Sequence, residues 1–129
     1  MNIIRFEDIE IWQEARELCK LVFKITSIEP FSKDFRFRDQ IRDACGSIMD
    51  NIAEGFERDG HKEFIQFLFI AKASCGETRS QAYRAFDANF IAQEDLDNLL
   101  NRTHSIKIKT LGMINYLKKS DHKGSKFKV

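Results

Sequence analysis

The chain has 129 residues, which is a suitable length for one domain with a single core. One proline, six glycines, 43% hydrophobic residues and 32% charged residues are typical of a soluble, helix-rich protein. No stretch approaches the roughly 20 consecutive apolar residues of a membrane-spanning helix, and the early acidic residue Glu7 argues against a secretory signal. We therefore expect a cytoplasmic protein with no membrane partner.

The net charge of +1 is distributed unevenly along the chain. Residues 118–129 contain five lysines and one aspartate, which leaves 16 basic and 19 acidic residues elsewhere, a net charge of −3. Nucleic-acid binding needs clustered Lys and Arg, because its affinity depends on counterion release at phosphates. The candidate nucleic-acid contacts are therefore the lysines of this basic tail, Lys118, Lys119, Lys123, Lys126 and Lys128. A solvated tail without a partner is the alternative.

Four segments have the spacing of amphipathic helices, in which apolar residues recur every three or four positions. The first covers residues 9–28 and ends before Pro30, since the residue before a proline is pushed out of the helical region. The second begins after Ser32, which is predicted to cap it, while Asp34 favours the dipole of the first turn. This second helix is predicted to end around residues 55–60, and Gly55 is expected to let the chain leave it toward the third helix.

The third segment begins after Gly60, and it contains an unusually apolar run. Between residues 64 and 71 only Gln66 is polar, so this part of the helix is apolar on nearly every side. A monomer of this size has difficulty covering such a helix. We assign Ile65 and Phe69 to an interface between copies of the chain. A deeply central helix within one bundle is the alternative.

The fourth segment follows a break at residues 87–95 and keeps a heptad-like spacing of leucine and isoleucine up to the tail. No alternating strand pattern and no Asn-Gly hairpin signal occurs in the sequence. The connections are short enough to place consecutive helices side by side and antiparallel. The sequence therefore predicts an all-α, antiparallel up-and-down four-helix bundle over residues 1–117, followed by a basic C-terminal tail over residues 118–129.

A polar seam follows the second helix beside its apolar face. Its core members are spaced three or four residues apart, and the whole set, with its neighbours, is Gln40, Arg42, Ser47, Asn51, Glu54, Arg58 and Glu77. We predict a structural or interface network in which the two arginines pair with the two glutamates across antiparallel helices. The alternatives are a solvated face and a ligand-binding or catalytic cluster of Glu54, Arg58 and Glu77.

Motifs for catalysis are missing from the sequence. A di-metal bundle uses Glu-x-x-His pairs, but His61, His104 and His122 each lack a glutamate three residues earlier. Glycine-rich phosphate loops and nucleophile elbows are also missing. The three cysteines fall at core-like positions and form no CxxC pair, which favours buried, reduced thiols. We expect no enzymatic activity, no metal and no cofactor.

Three stretches of the sequence resemble those of a known family. They are FEDIEIWQEA near the start, QIRDACGSIMDNIAEGFER in the middle and KEFIQFLFIAKASCGE after it. Together they resemble the bacterial four-helix-bundle proteins whose genes lie in intervening sequences of 23S ribosomal RNA. The most specific match is the Asn-Ile-Ala-Glu-Gly run that begins at Asn51, and Trp12 and Ala15 match the first helix. The resemblance covers about residues 5–118.

The resemblance implies a cyclic pentamer, as in the related accessory protein of diversity-generating retroelements. That relative is basic, binds nucleic acid and partners a reverse transcriptase, whereas the body of this chain is slightly acidic. No catalytic residues are known for the family, so none is carried over. The expected function is a non-enzymatic, oligomeric scaffold or adaptor. Its expected partners are copies of itself and RNA, DNA or a nucleic-acid-binding protein.

Overall fold

The computed structural model describes residues 3–120 and consists mainly of four long helices. The helices are α1 (Glu10–Thr26), α2 (Phe35–Glu57), α3 (His61–Asp87) and α4 (Gln93–Lys118). Short 3-10 turns at Phe6–Asp8 and Phe31–Lys33 precede α1 and α2. Residues 3–120 contain no strand, so the prediction of an all-α bundle is confirmed.

Contacts between the helices establish their directions. On α1 and α4, Glu14 accepts a hydrogen bond from Ser105 at 2.7 Å, and Glu10 pairs with Lys109 at 2.8 Å. A lower residue number on α1 thus contacts a higher residue number on α4, so the two helices run in opposite directions. The same opposed order relates α2 to α3 and α3 to α4. Neighbouring helices in this bundle are antiparallel, which is the up-and-down arrangement.

The core lies between the apolar faces of the four helices. Its largest fully buried side chains are Ile9, Leu18, Phe31, Ile41, Ile48, Ile52, Phe56, Phe64, Leu68, Leu99 and Ile106. Each contributes about 1.5–3 kcal/mol of burial free energy, and one continuous cluster connects them. None of the helices in the described part is both long enough and apolar enough to cross a bilayer.

The N-terminus of α2 differs from the sequence prediction. Asp34, not Ser32, is the N-cap, because its carboxylate accepts a hydrogen bond from the backbone N–H of Phe37 at 3.1 Å. Ser32 lies inside the preceding 3-10 turn. An aspartate at this position satisfies a free backbone N–H group and also places a negative charge at the positive end of the helix dipole.

Gly55 is a buried position inside α2 and is not the point where the chain leaves the helix. A β carbon on Gly55 would lie only 2.6 Å from the β carbon of Phe67 and 3.0 Å from the ring of Phe64. Glycine is therefore needed for the close approach of α2 and α3. The chain turns later, at Asp59, whose φ of 58° lies in the left-handed region. The following residue, Gly60, is the N-cap of α3, which begins after it as predicted.

Candidate functional site

The first part of the predicted polar network is Arg42, which faces α1. Its guanidinium donates hydrogen bonds to Thr26 Oγ1 at 2.8 Å and to Ser27 Oγ at 3.2 Å. The same group lies 4.2 Å from the centroid of the Phe23 ring, within the range of a cation–π interaction. Arg42 therefore joins α2 to the C-terminal end of α1. The structure does not bring it to the glutamates of α2 and α3.

The second part lies between α2 and α3 and consists of neutral groups. The hydroxyl oxygens of Ser47 and Ser74 are 2.9 Å apart, so one donates to the other across the two helices. Asn51 Nδ2 donates to the Ser47 hydroxyl at 2.9 Å and to the Ser47 carbonyl at 2.8 Å. The bond between Ser47 and Ser74 joins α2 to α3 without the desolvation cost of a buried ion pair, and the bonds from Asn51 hold Ser47 within α2.

The third part of the predicted network contains its remaining charged residues, and their side chains do not pair with one another. Glu54 and Arg58 are exposed on α2, and the Arg58 guanidinium lies 5.2 Å from the centroid of the Phe67 ring. Glu77 is exposed on α3 and accepts a hydrogen bond from Gln81 Nε2 at 3.3 Å. Within residues 3–120, no ion pair joins Arg58 to either glutamate.

The antiparallel register explains why the two glutamates are separated. Because Ser47 contacts Ser74, Glu54 lies seven residues to one side of that contact and Glu77 lies three residues to the other. At 1.5 Å per residue, the two glutamates are about 15 Å apart along the bundle axis. A cluster of Glu54, Arg58 and Glu77 is therefore not assembled in one copy of the chain.

An open groove lies between α2 and α3, beside the contact of the two serines. Its volume is about 630 Å³. It is lined by Gln40, Asp43, Ala44, Ser47, Ser74, Glu77, Ser80, Gln81 and Arg84. The groove thus collects three members of the predicted network together with polar residues of α3 that the sequence did not single out. Over the described residues, no three His, Cys, Asp or Glu side chains are placed to hold a metal ion.

The cysteines are free thiols in the helical core. Cys45 and Cys75 are buried, and Cys19 is half-buried. Burial raises the pKa of Cys75 to about 11, and this thiol donates a hydrogen bond to the Thr103 carbonyl at 3.2 Å. A hydrogen bond between Cys19 and Cys45 lowers the pKa of Cys19 and raises the pKa of Cys45. At neutral pH, Cys75 is therefore a protonated core side chain and a poor nucleophile.

The two predicted interface residues have different surroundings. Ile65 is half-buried and packs against the core, whereas the Phe69 side chain is 44% exposed. The ammonium of Lys118, at the end of α4, lies 5.4 Å from the centroid of the Phe69 ring. Ile70, which the sequence analysis did not assign, is 48% exposed beside Phe69. An apolar run on all sides of a helix gives no sequence signal for which of its residues face outward.

The predicted nucleic-acid contacts are only partly within the described residues. Lys118 and Lys119 are exposed at the C-terminal end of α4. The other three, Lys123, Lys126 and Lys128, lie outside the described residues. The basic tail thus begins next to Phe69, at the end of the bundle where α3 starts.

Comparisons with known proteins agree with this fold. The model of the family described as 23S rRNA-intervening sequence protein matches residues 7–112. A crystal structure of a protein of unknown function, from the S23 ribosomal protein family of Bacteroides thetaiotaomicron, is similar with a TM-score of 0.73. The two sequences are 22% identical, and the alignment covers 81% of this chain and 97% of that chain, so this likeness shows the fold alone. Comparison with curated protein sequences gave no match.

Proposed function

The chain belongs to the 23S rRNA-intervening sequence protein family, and we propose that it is a non-enzymatic scaffold that assembles with copies of itself. The main support for this proposal is the outward surface of α3. From residue 64 to residue 76 of α3, every exposed residue is uncharged, and these residues are Gln66, Phe69, Ile70, Ala73 and Gly76. We call this surface the α3 face. Helices at the surface of a monomer normally present charged residues to water.

The large residues of the α3 face supply a driving force for assembly. Phe69 and Ile70 are 44% and 48% exposed, and they are neighbours in the sequence. Fully burying a side chain of this size contributes about 1.5–3 kcal/mol relative to leaving it exposed. Since each side chain is already about half buried, a second copy that covers both contributes about 1.5–3 kcal/mol, which is one part of the roughly 8 kcal/mol of a micromolar complex.

Gly76 is a second, separate indication that the α3 face contacts another copy of the chain. It is exposed in the middle of α3, and a β carbon there would meet no heavy atom within 4 Å among the described residues. Glycine inside a helix costs about 1 kcal/mol relative to alanine, and packing within the bundle gives no reason for it. Close approach of a backbone from another copy is a reason, since glycine leaves room for it.

The non-enzymatic part of the proposal is supported by the arrangement of the polar residues. Glu54 and Glu77 lie about 15 Å apart along the bundle axis, and the buried Cys75 has a raised pKa of about 11. General acid–base and nucleophilic catalysis both need reacting groups within hydrogen-bond distance of each other. The polar contacts of Arg42 and Ser47 instead hold helices together.

We further propose that the assembled scaffold binds RNA or DNA through its basic tails. One tail offers few positive charges, and the rest of the chain is slightly acidic. Several tails in one assembly bind a long nucleic acid more tightly than a single tail, because each further contact is intramolecular. The five copies that the resemblance implies would present 25 tail lysines, five from each chain.

Assembly is tested by changing Ile70 to lysine. We expect Ile70→Lys to weaken self-association about 100-fold, because a buried charge replaces an apolar contact at the centre of the interface. Ile108→Lys is the matched control, since Ile108 is a 52% exposed isoleucine on α4 and outside the α3 face. Sedimentation equilibrium measures the mass of each variant. A monomeric wild-type protein at tens of micromolar, or an Ile70→Lys variant with the wild-type mass, would contradict the proposal.

Nucleic-acid binding is tested on the tail lysines that follow α4. Changing Lys119, Lys123, Lys126 and Lys128 together to glutamine is expected to abolish salt-dependent binding of single-stranded RNA. Arginine at the same four positions keeps the charge and should retain binding. Fluorescence anisotropy at several salt concentrations measures both variants. Binding that survives the glutamine changes would refute the role of the four lysines that follow α4 and would place the contacts on Lys118 or the bundle.

A further inference from the structure

The groove between α2 and α3 contains carboxylates that lack a cationic partner. Asp43 on α2 and Glu77 on α3 both line it, and within residues 3–120 neither forms an ion pair. Among the described residues, Arg84 is the one cation of the lining, and its guanidinium lies 4.4 Å from the centroid of the Phe37 ring. With Arg84 included, the lining has a net charge of −1. The groove therefore favours a cation over an anion.

Gln81 adds an independent observation that indicates a ligand. Its side chain is only 3% exposed and lines the groove. Its Nε2 donates to Glu77, which determines the orientation of the amide, because an amide oxygen cannot donate to a carboxylate. The remaining atom, Oε1, has no hydrogen-bond partner among the described residues. A buried acceptor without a donor destabilises the unliganded protein.

We propose that this groove is a binding site for a guanidinium group. A guanidinium is planar and permanently charged, and it has five N–H donors and no acceptor. The groove offers the complementary set, with carboxylates on two helices and the hydroxyls of Ser47 and Ser74 beside them. An ammonium group is less suitable, because it is a compact point charge and cannot pair with a carboxylate through two parallel N–H donors as a planar guanidinium does.

The bond between Gln81 and Glu77 is exchanged when the ligand binds. At 3.3 Å it is a long hydrogen bond to a carboxylate, and a guanidinium makes a shorter, charge-assisted pair with the same carboxylate. Gln81 is then released from Glu77, and its amide turns so that Oε1 accepts an N–H of the ligand. Binding thus satisfies an acceptor that has no donor among residues 3–120.

The site is tested by a titration with butylguanidinium, followed by two-dimensional NMR of the full chain. The Ile70→Lys variant is used alongside the wild type, so that covering of the groove by a second copy does not affect the result. We expect saturable shifts at the amides of Ser47, Ser74 and Gln81, including the Gln81 side chain. Tetramethylammonium has the same charge without N–H donors and should cause no saturable shifts. Equal binding of both ions, or no saturation by butylguanidinium, would overturn the proposal.

A matched pair of variants separates the groove from general surface charge. Glu77→Gln is expected to weaken butylguanidinium binding at least about 10-fold, since it removes the charge-assisted pair. Asp50→Asn removes an exposed carboxylate of α2 that is not part of the lining, and it should change the affinity less than about two-fold. An unchanged affinity in Glu77→Gln would overturn the proposal.

A second ligand tests whether the natural guanidinium belongs to a protein or to a small molecule. A capped Gly-Arg-Gly peptide presents the same group on a protein backbone. If it binds more tightly than butylguanidinium, the natural ligand is an arginine side chain of a protein, which includes a neighbouring copy of this chain. If it binds equally or more weakly, the ligand is a small guanidine compound. Both results support the same site, while loss of saturable binding by both ligands refutes it.

Discussion

Changing Phe31 to alanine is expected to lower the free energy of unfolding by about 3–5 kcal/mol, the usual range for removing a fully buried phenylalanine. Phe31 lies in the 3-10 turn between α1 and α2, and none of its side chain is exposed. Its ring centroid is 5.1 Å from that of Phe37 and 5.0 Å from that of Phe90. The substitution therefore leaves a cavity where the turn, α2 and the α3–α4 connection meet.

Phe35→Ala is the matched control for this prediction. Phe35 is only four residues away in the sequence, but its side chain is 61% exposed. The Arg38 guanidinium lies 5.0 Å from its ring centroid, and we expect a loss below about 1 kcal/mol. Urea unfolding followed by circular dichroism measures both variants. Similar losses for the two substitutions would show that this end of the bundle is not packed around Phe31.

Changing Gly55 to valine is expected to lower the free energy of unfolding by about 3 kcal/mol. A β carbon at this position already lies 2.6 Å from the Phe67 β carbon, and the two valine methyl groups would extend further into α3. Because Phe67 Cβ is attached directly to the helix backbone, it cannot move away without shifting α3. Overpacking of this kind typically costs about 1–3 kcal/mol, occasionally more.

The same substitution at Gly46 separates packing from helix propensity. Gly46 is half-buried within α2, and a β carbon there would meet no heavy atom within 4 Å in the described part of the chain. Valine has a slightly better helix propensity than glycine, so Gly46→Val should change the stability by less than about 0.5 kcal/mol. Thermal and urea unfolding compare the two variants. A small effect at Gly55 would mean that α2 and α3 are farther apart than described.

The helices were predictable because their signal is local. The apolar spacing of α1 and α4 alone indicates which side of each helix is buried, and Pro30 marks the end of the first segment. The start of α2 was less accurate, since Ser32 and Asp34 are both good N-caps. Burial of Phe31 draws Ser32 into a 3-10 turn, and Asp34 then becomes the cap. A sequence pattern does not contain that contact.

The sequence singled out the residues of the polar seam, but it did not indicate their hydrogen-bond partners. Charge alone suggested that Arg42 pairs with a glutamate, whereas its partners are hydroxyl groups at the C-terminal end of α1, 15 and 16 residues earlier. The link between Ser47 and Ser74 joins neutral residues and gives no electrostatic signal in the sequence. Gln81 was also missed, because a glutamine inside a helix resembles any solvated position until its burial is known.

The sequence by itself determined that this chain forms four helices, where each helix lies and, for α1, α2 and α4, which stripe is apolar, because periodicity and capping act over a few neighbouring residues. Only the tertiary structure decided which side chains meet and which stay exposed. The rotation of each helix about its own axis depends on packing against two neighbours at once. That rotation leaves Ile70 in water, closes α3 onto Gly55 and places Gln81 in the groove.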